Sequence, residues 1–196
     1  MDVYVALVHY PVYDKNRRIV TTAVTNIDVH DIARSSATYG ARGYFVVTPV
    51  EQQRVLVEEL VDHWTTGVGA TYNPRRKTAL DSARVVADLA EAARLVREDT
   101  GVEPITVITG ANFRDQTISH SDMREMLRNK PGAALIILGT GWGLEASFTE
   151  KMDYKLAPIL GTGEYNHLSV RSAAAIMLDR LFGEQRVVNE MDSSIR

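Results

Sequence analysis

Along this chain, short unbroken apolar runs alternate with longer stretches in which apolar residues recur every three or four positions. The runs are VYVALV at 3–8, YFVVT at 44–48, ITVI at 105–108, ALIIL at 134–138 and LAPIL at 156–160. Continuously apolar, β-branched runs of this length suit strands of a parallel sheet covered on both faces. The stretches between them carry helix signals. TPVE at 48–51 predicts a capping box with Pro49 in the first turn, followed by a stripe of Leu56, Val57, Leu60, Val61 and Trp64. Asp28 is predicted to cap a helix that Gly40 closes. A long helix is predicted over about 78–98, carrying Val85, Val86, Leu89, Ala93 and Val96 and ending at Gly101. A short helix over 119–128 and a last one striped by Val170, Ala173, Ala174, Met177, Leu178 and Leu181 complete the set. Strand and helix in alternation predict an α/β domain with right-handed crossovers, whose ligands sit beyond the carboxyl ends of the strands.

Composition narrows this without redirecting it. With 45% apolar and 24% charged residues among 196, one domain over 1–196 with a real core is expected. No run approaches the roughly 20 apolar residues of a membrane span, and the N-terminus has no basic and apolar leader pattern. Cysteine is absent, so a disulfide framework is excluded and a cytoplasmic protein without membrane contact is expected. The net charge of −3 offers no global attraction to nucleic acid, so such binding has to be local. Basic clusters stand at DKNRR, 14–18, and NPRRK, 73–77.

The most informative stretch is LIILGTGWGLE, where a buried strand runs into Gly139, Gly141 and Gly143. The next strand ends in the same tripeptide, GTG at 161–163. Glycine lets backbone approach a ligand without a Cβ in the way. Neither loop continues into the Lys-Ser/Thr of a triphosphate cradle. A dinucleotide fingerprint would follow the first strand, which here runs into His9, Tyr10 and Pro11. The histidines His9, His30, His63, His120 and His167 have no metal-ligand spacing, so no metal is expected, and no G-x-S-x-G elbow marks a hydrolase.

The wording TNIDVHDIARSSATYG, LIILGTGWGLE and APILGTGEYNHLSVRSAAAIMLDRL resembles the SPOUT, or α/β-knot, class of S-adenosyl-L-methionine (SAM)-dependent RNA methyltransferases. YVALVHYPVYDKN, TTAVTN, HDIAR, YNPRRK and GTGWGL are most similar to a small bacterial branch of it, found alone or fused to a tRNA guanine-N1 methyltransferase. The resemblance implies a mostly parallel sheet flanked by helices with a C-terminal trefoil knot. It implies a bent SAM held by the knot loops, and a homodimer with its active site at the subunit junction. Of the N-x-G-x-x-x-R pattern of the ribose-methylating branch, held here by Asp28, His30 and Arg34, the arginine is kept.

On that resemblance the cofactor is expected among Leu138, Gly139, Thr140, Gly141, Trp142, Gly143, Ile159, Leu160, Gly161, Tyr165, Asn166, His167, Leu168 and Ser169, joined by Thr109 and Gly110. Trp142 stacks on a base or caps the core. Arg34, too basic to remove a proton, is assigned to holding the ribose-phosphate and stabilising a developing alkoxide, with His30 as the nearby titratable group. Its simpler role is a surface pair with Asp31. Arg75, Arg76, Lys77 and Arg114 are the candidates for RNA phosphates. The expected substrate is tRNA or rRNA, methylated at a ribose 2′-oxygen in preference to a base nitrogen, for which an aspartate such as Asp31 or Asp153 would serve as base. A separate RNA-binding or methyltransferase partner fits the acidic total. The competing readings are a non-catalytic, cofactor-binding module of such an enzyme and a nucleotide-dependent oxidoreductase.

Overall fold

A computed structural model describes residues 1–184. In chain order the elements are β1 (Asp2–Val8), β2 (Val12–Tyr13), β3 (Ile19–Val20), α1 (Asn26–Thr38), β4 (Gly43–Val47), α2 (Glu51–Thr65), α3 (Val68–Tyr72), α4 (Pro74–Leu80) and β5 (Ala83–Val86). There follow α5 (Leu89–Thr100), β6 (Ile105–Ile108), β7 (Thr117–Ile118), α6 (His120–Asn129), β8 (Ala133–Gly139), α7 (Ala146–Thr149), β9 (Tyr154–Leu156) and α8 (Val170–Phe182). Every pairing in the main sheet, ordered β5-β4-β1-β8-β6-β9-β7, is parallel; β2 and β3 form a separate antiparallel hairpin. The last twelve residues of the unit expected over 1–196, residues 185–196, lie outside the described residues.

The unbroken apolar runs have a direct cause. Successive side chains of a strand point to opposite faces, and here both faces are covered. Val3, Val5 and Leu7 of β1 pack with Ile136 and Leu138 of β8 under α1 and α8, through Val29, Ile32, Met177 and Leu178. Tyr4, Ala6 and Val8 pack with Leu135 and Ile137 on the other face under α5, through Ala92 and Val96. At about 1.5–3 kcal/mol for each large side chain taken from water, these two layers dominate the stabilisation.

Helix ends show where local signals held. Gly101, at φ 77, ends α5, and Ser119 and Ser169 cap α6 and α8 by accepting the N–H of Asp122 and Ser172. Gly40 lies just past α1, with Ala41 N–H donating to Ser36 O (2.9 Å) and Gly40 N–H to Ala37 O (3.2 Å), a Schellman closure. At the other end of α1 the cap is Thr25, not Asp28: Thr25 Oγ1 accepts the Asp28 N–H and donates to Asp28 Oδ2 (2.5 Å). The capping box expected at 48–51 does not form either. Thr48 N–H still donates to Val86 O at the sheet edge (3.0 Å), so α2 starts only at Glu51, without a side-chain cap. Of its stripe only Val57 is buried, and Leu56 is exposed.

The helix expected over 78–98 is three elements. α4 stops at Leu80, β5 pairs with β4 in the register Val46↔Val85, and α5 starts afresh. Asp88 Oδ1 accepts the Glu91 N–H while Glu91 Oε2 accepts the Ala87 N–H, a reciprocal cap that a continuous helix has no room for. LAPIL is strand only to Leu156.

Two placements matter for function. β9 lies between β6 and β7, strands joined directly by residues 109–116, and the chain then runs on to α8. The strands that end in GTG are therefore not neighbours: β6 separates β8 from β9 and brings its own end, Thr109–Gly110, between the two glycine turns.

Candidate functional site

At the carboxyl ends of β6, β8 and β9 a cavity of about 540 Å³ opens, within the ~300–1,000 Å³ range of cofactor sites. One wall is the turn after β8, Leu138–Gly143; the opposite wall is Ile159, Asn166–Ser169 and the first turns of α8; Thr109 and Gly110 lie between. Of the residues expected around a cofactor, these line the cavity. Leu160, Gly161 and Tyr165 do not, and the Tyr165 side chain is 82% exposed.

The first wall is shaped by close packing. A Cβ on Gly139 would lie 2.6 Å from Leu144 Cγ, and Gly141, at φ 59, would put a Cβ 3.0 Å from Tyr13 O. Thr109 closes the strand ends, its hydroxyl donating to Ile137 O (2.9 Å). Behind the wall runs a chain of side-chain hydrogen bonds. Thr140 Oγ1 donates to Val8 O (3.1 Å) and meets Thr22 Oγ1 (2.5 Å), which in turn lies 3.0 Å from His9 Nδ1 and 3.5 Å from His9 O. His9 Nε2 is buried and without a partner among the described residues. Burial holds the His9 pKa down, to about 4, against the opposing pull of Asp28.

The second wall is held by polar contacts. Asn166 Oδ1 accepts the Gly161 N–H (2.9 Å) and its Nδ2 donates to Ile159 O (3.1 Å). Arg171, in the first turn of α8, donates to Asp28 Oδ1 (2.6 Å) and lies 3.6 Å from Asp31 Oδ2. Both Asp28 and Arg171 line the cavity, together with Thr22, Ala23, Ala111, Asn112 and Met177, and none of these was singled out as a site residue from the sequence. Arg171 did carry a signal. A cation in a helix's first turn opposes the macrodipole and needs a carboxylate from elsewhere.

His30 and Arg34 lie outside the lining. Arg34 is exposed and forms no ion pair among the described residues; Asp31 pairs with Arg171 instead. The His30 ring meets the Trp64 edge at 5.6 Å, and its pKa is lowered first by burial, then by Arg76. Arg76 lies over Trp64 at 4.4 Å, Lys77 pairs with Asp81 (2.8 Å) and Arg75 is exposed. Arg114 is exposed two residues after the lining residue Asn112. Trp142, 64% exposed, is no core cap. Asp153 accepts from Thr106 N–H and hydroxyl (2.8 and 2.7 Å) toward the opposite end of β6, away from the cavity. No helix among the described residues is long and apolar enough to cross a membrane.

The donor set fits SAM. Apolar Leu138, Ile159, Leu168 and Met177 offer contact for a purine, backbone N–H and C=O of Gly139–Gly143 and of Asn166–Ser169 offer polar partners, and Asp28 places a carboxylate, paired with Arg171, in the wall. A family profile described as SAM-dependent RNA methyltransferase matches residues 2–183. The chain belongs to that family. The chain is 44% identical over 183 residues to a tRNA (guanine-N(1)-)-methyltransferase of Oleidesulfovibrio alaskensis, covering 93% of this chain but 42% of that protein. The chain thus spans less than half the length of that relative. An uncharacterized protein of Aquifex aeolicus is 36% identical over 185 residues, 94% of this chain and 90% of its own. The fold matches the A. aeolicus TrmH/SpoU tRNA modifying enzyme at a TM-score of 0.54 and 14% identity, covering 92% of this chain and 73% of that one. The mostly parallel sheet flanked by helices expected from the sequence is observed, and it is shared with that TrmH/SpoU structure.

Proposed function

We propose that this methyltransferase modifies tRNA at a base nitrogen, as a homodimer. The observation that carries the acceptor is the Asp28–Arg171–Asp31 group. It puts the Asp28 carboxylate in the cavity lining and ties Asp31, just outside that lining, to it through Arg171, whereas Arg34, the reason to expect a ribose, lies outside the lining and pairs with no carboxylate among the described residues. The tRNA (guanine-N(1)-) name of the relatives and the tRNA-modifying neighbour support the same substrate class. The exposed Leu160 and Tyr165, outside the lining, supply an apolar surface beside the cavity for a second copy. Trapping of β9 between β6 and β7 supports a C-terminus threaded through 109–116, as in the knot.

In this reading the turn Gly139–Gly143, Thr109, Gly110, Ile159 and Asn166–Ser169 hold SAM. SAM supplies an activated methyl on a sulfonium, so alignment of acceptor, methyl and sulfur carries much of the rate. Arg171 fixes the two aspartates. Asp28 spends Oδ2 on the Thr25 hydroxyl and Oδ1 on Arg171, while Asp31, 43% exposed and more loosely held, takes the proton that leaves the acceptor nitrogen.

Transfer of labelled methyl from SAM to bulk tRNA, followed by nucleoside mass spectrometry, tests this directly. A base-methylated nucleoside that disappears with Asp31→Asn is the expected result; no incorporation despite SAM binding would make the chain a non-catalytic module. A second reading, ribose 2′-O-methylation with Arg34 and His30 reaching a partner subunit's cavity, is favoured by the exposed, unpaired Arg34. Its signature is a 2′-O-methyl nucleoside lost with Arg34→Ala.

A further inference from the structure

The basic cluster at 14–18, assigned to nothing above, is the tip of the β2–β3 hairpin. The hairpin is built into the cavity's first wall. Tyr13 N–H donates to Gly143 O (2.9 Å), Trp142 N–H to Tyr13 O (3.0 Å) and Glu145 N–H to Pro11 O (3.1 Å). Past β3, Thr22 joins the same wall through Thr140. The tip is also internally ordered. Asp14 Oδ1 accepts the N–H of both Asn16 and Arg18 (2.8 Å each), and Arg17 N–H donates to Asp14 O (3.0 Å) with Arg17 at φ 63.

This arrangement spends the tip's one carboxylate on closing the turn. Lys15, Arg17 and Arg18 are left exposed, with no ion pair among the described residues, and Arg17 is steadied over the Tyr13 ring at 4.3 Å. Arg42, Arg84, Arg94 and Arg97 elsewhere on the surface each hold a carboxylate. An otherwise acidic chain thus concentrates free cations on a turn tied by backbone to the lip of its cavity, next to exposed Trp142.

We propose that the β2–β3 hairpin is an RNA-gripping arm: Lys15, Arg17 and Arg18 hold phosphates flanking the target nucleotide, and Trp142 gives a neighbouring base a stacking surface. The proposal rests on the reading that the cavity serves RNA methylation. Phosphate contacts fix register without reading sequence, and an arm bonded to the glycine turn converts that register into the position of the nucleotide over the cavity. Stacking on an aromatic adds affinity for any base.

The test compares wild type, a Lys15→Gln/Arg17→Gln/Arg18→Gln variant and an Arg75→Gln/Arg76→Gln variant in binding fluorescently labelled bulk tRNA at several salt concentrations. S-adenosylhomocysteine affinity by calorimetry reports whether the cavity is intact. The hairpin variant is expected to bind tRNA roughly tenfold more weakly at low salt and to lose about 2 to 3 from the slope of log affinity against log salt, with S-adenosylhomocysteine affinity unchanged. The Arg75/Arg76 variant should lose less. Wild-type affinity and slope in the hairpin variant would overturn the arm alone, and so would a matching loss of S-adenosylhomocysteine binding, which would assign these residues to folding. A wild-type chain that binds no tRNA overturns the methylation reading and the arm together.

Discussion

The tripeptide Gly-Thr-Gly occurs twice, at 139–141 and 161–163, and the two copies are held by different physics. In the first, a Cβ on Gly139 would strike Leu144, and Gly141 sits at φ 59 against Tyr13 O and Thr22. In the second, a Cβ on Gly163 meets nothing within 4 Å and one on Gly161 meets Asn166 Oδ1 only at 3.4 Å. One turn is fixed by shape, the other by the Asn166 side chain. Identical letters therefore carry a packing requirement in the cavity wall at 139–141 and open space at 161–163, outside the lining.

The largest expected effect separates the walls by acid, because only the first rests on a buried histidine. His9 has a pKa of about 4 in the fold against an ordinary 6.5. Above 6.5 both folded and unfolded chains carry it neutral. As pH falls below 6.5 the unfolded chain takes up the proton first, so stability drops until about pH 4, by roughly 3 kcal/mol in all. Urea unfolding at pH 7 and 5 should show the loss. His9→Asn keeps a polar partner for Thr22 and should remove this part of the slope; an unchanged slope would mean that other groups carry it.

Next comes the ion pair of the second wall. Arg171→Met leaves the Asp28 carboxylate, whose side chain is only 10% exposed, without its cation. A fully buried pair would cost 3–5 kcal/mol; with Arg171 30% exposed, about 2 kcal/mol is expected in thermal melts. Adding Asp28→Asn should restore part of it, which a role for Arg171 in packing alone would not produce.

The glycines give the sharpest contrast at smaller cost. Gly139→Ala should destabilise by about 1–2 kcal/mol, near the lower end for overpacking because Leu144 can shift, and should weaken SAM binding. Gly163→Ala should stay within about 0.5 kcal/mol. Equal effects would erase the distinction between the turns. Asn166→Ala should cost about 1 kcal/mol while raising the SAM dissociation constant several-fold, since both its hydrogen bonds hold backbone, at Gly161 and Ile159. Calorimetry beside a melting curve separates the two quantities.

Strand identity and the sheet's double cover were legible in the sequence because a central parallel strand must be apolar at every position, whichever face a residue points to. The glycine turn at 139–143 was legible because it ends such a strand, whereas Asn166 and Ser169 were candidates through the family resemblance. Arg171 and Asp28 were not, since 143 residues separate two groups that meet at 2.6 Å. β5 was hidden because Val85, Val86, Leu89 and Val96 fit a helical period by coincidence, and the deciding cap at Asp88–Glu91 is a side-chain contact.

What the chain's letters determine by themselves is local: which runs can pair on both faces, and helix ends such as Gly101, Ser119 and Ser169. Insertion of β9 between β6 and β7, docking of the basic hairpin on one glycine turn, and the meeting of α8 with α1 across the cavity belong to the tertiary structure. These join segments far apart in sequence, and their energies depend on distances and burial that exist only once the sheet has closed.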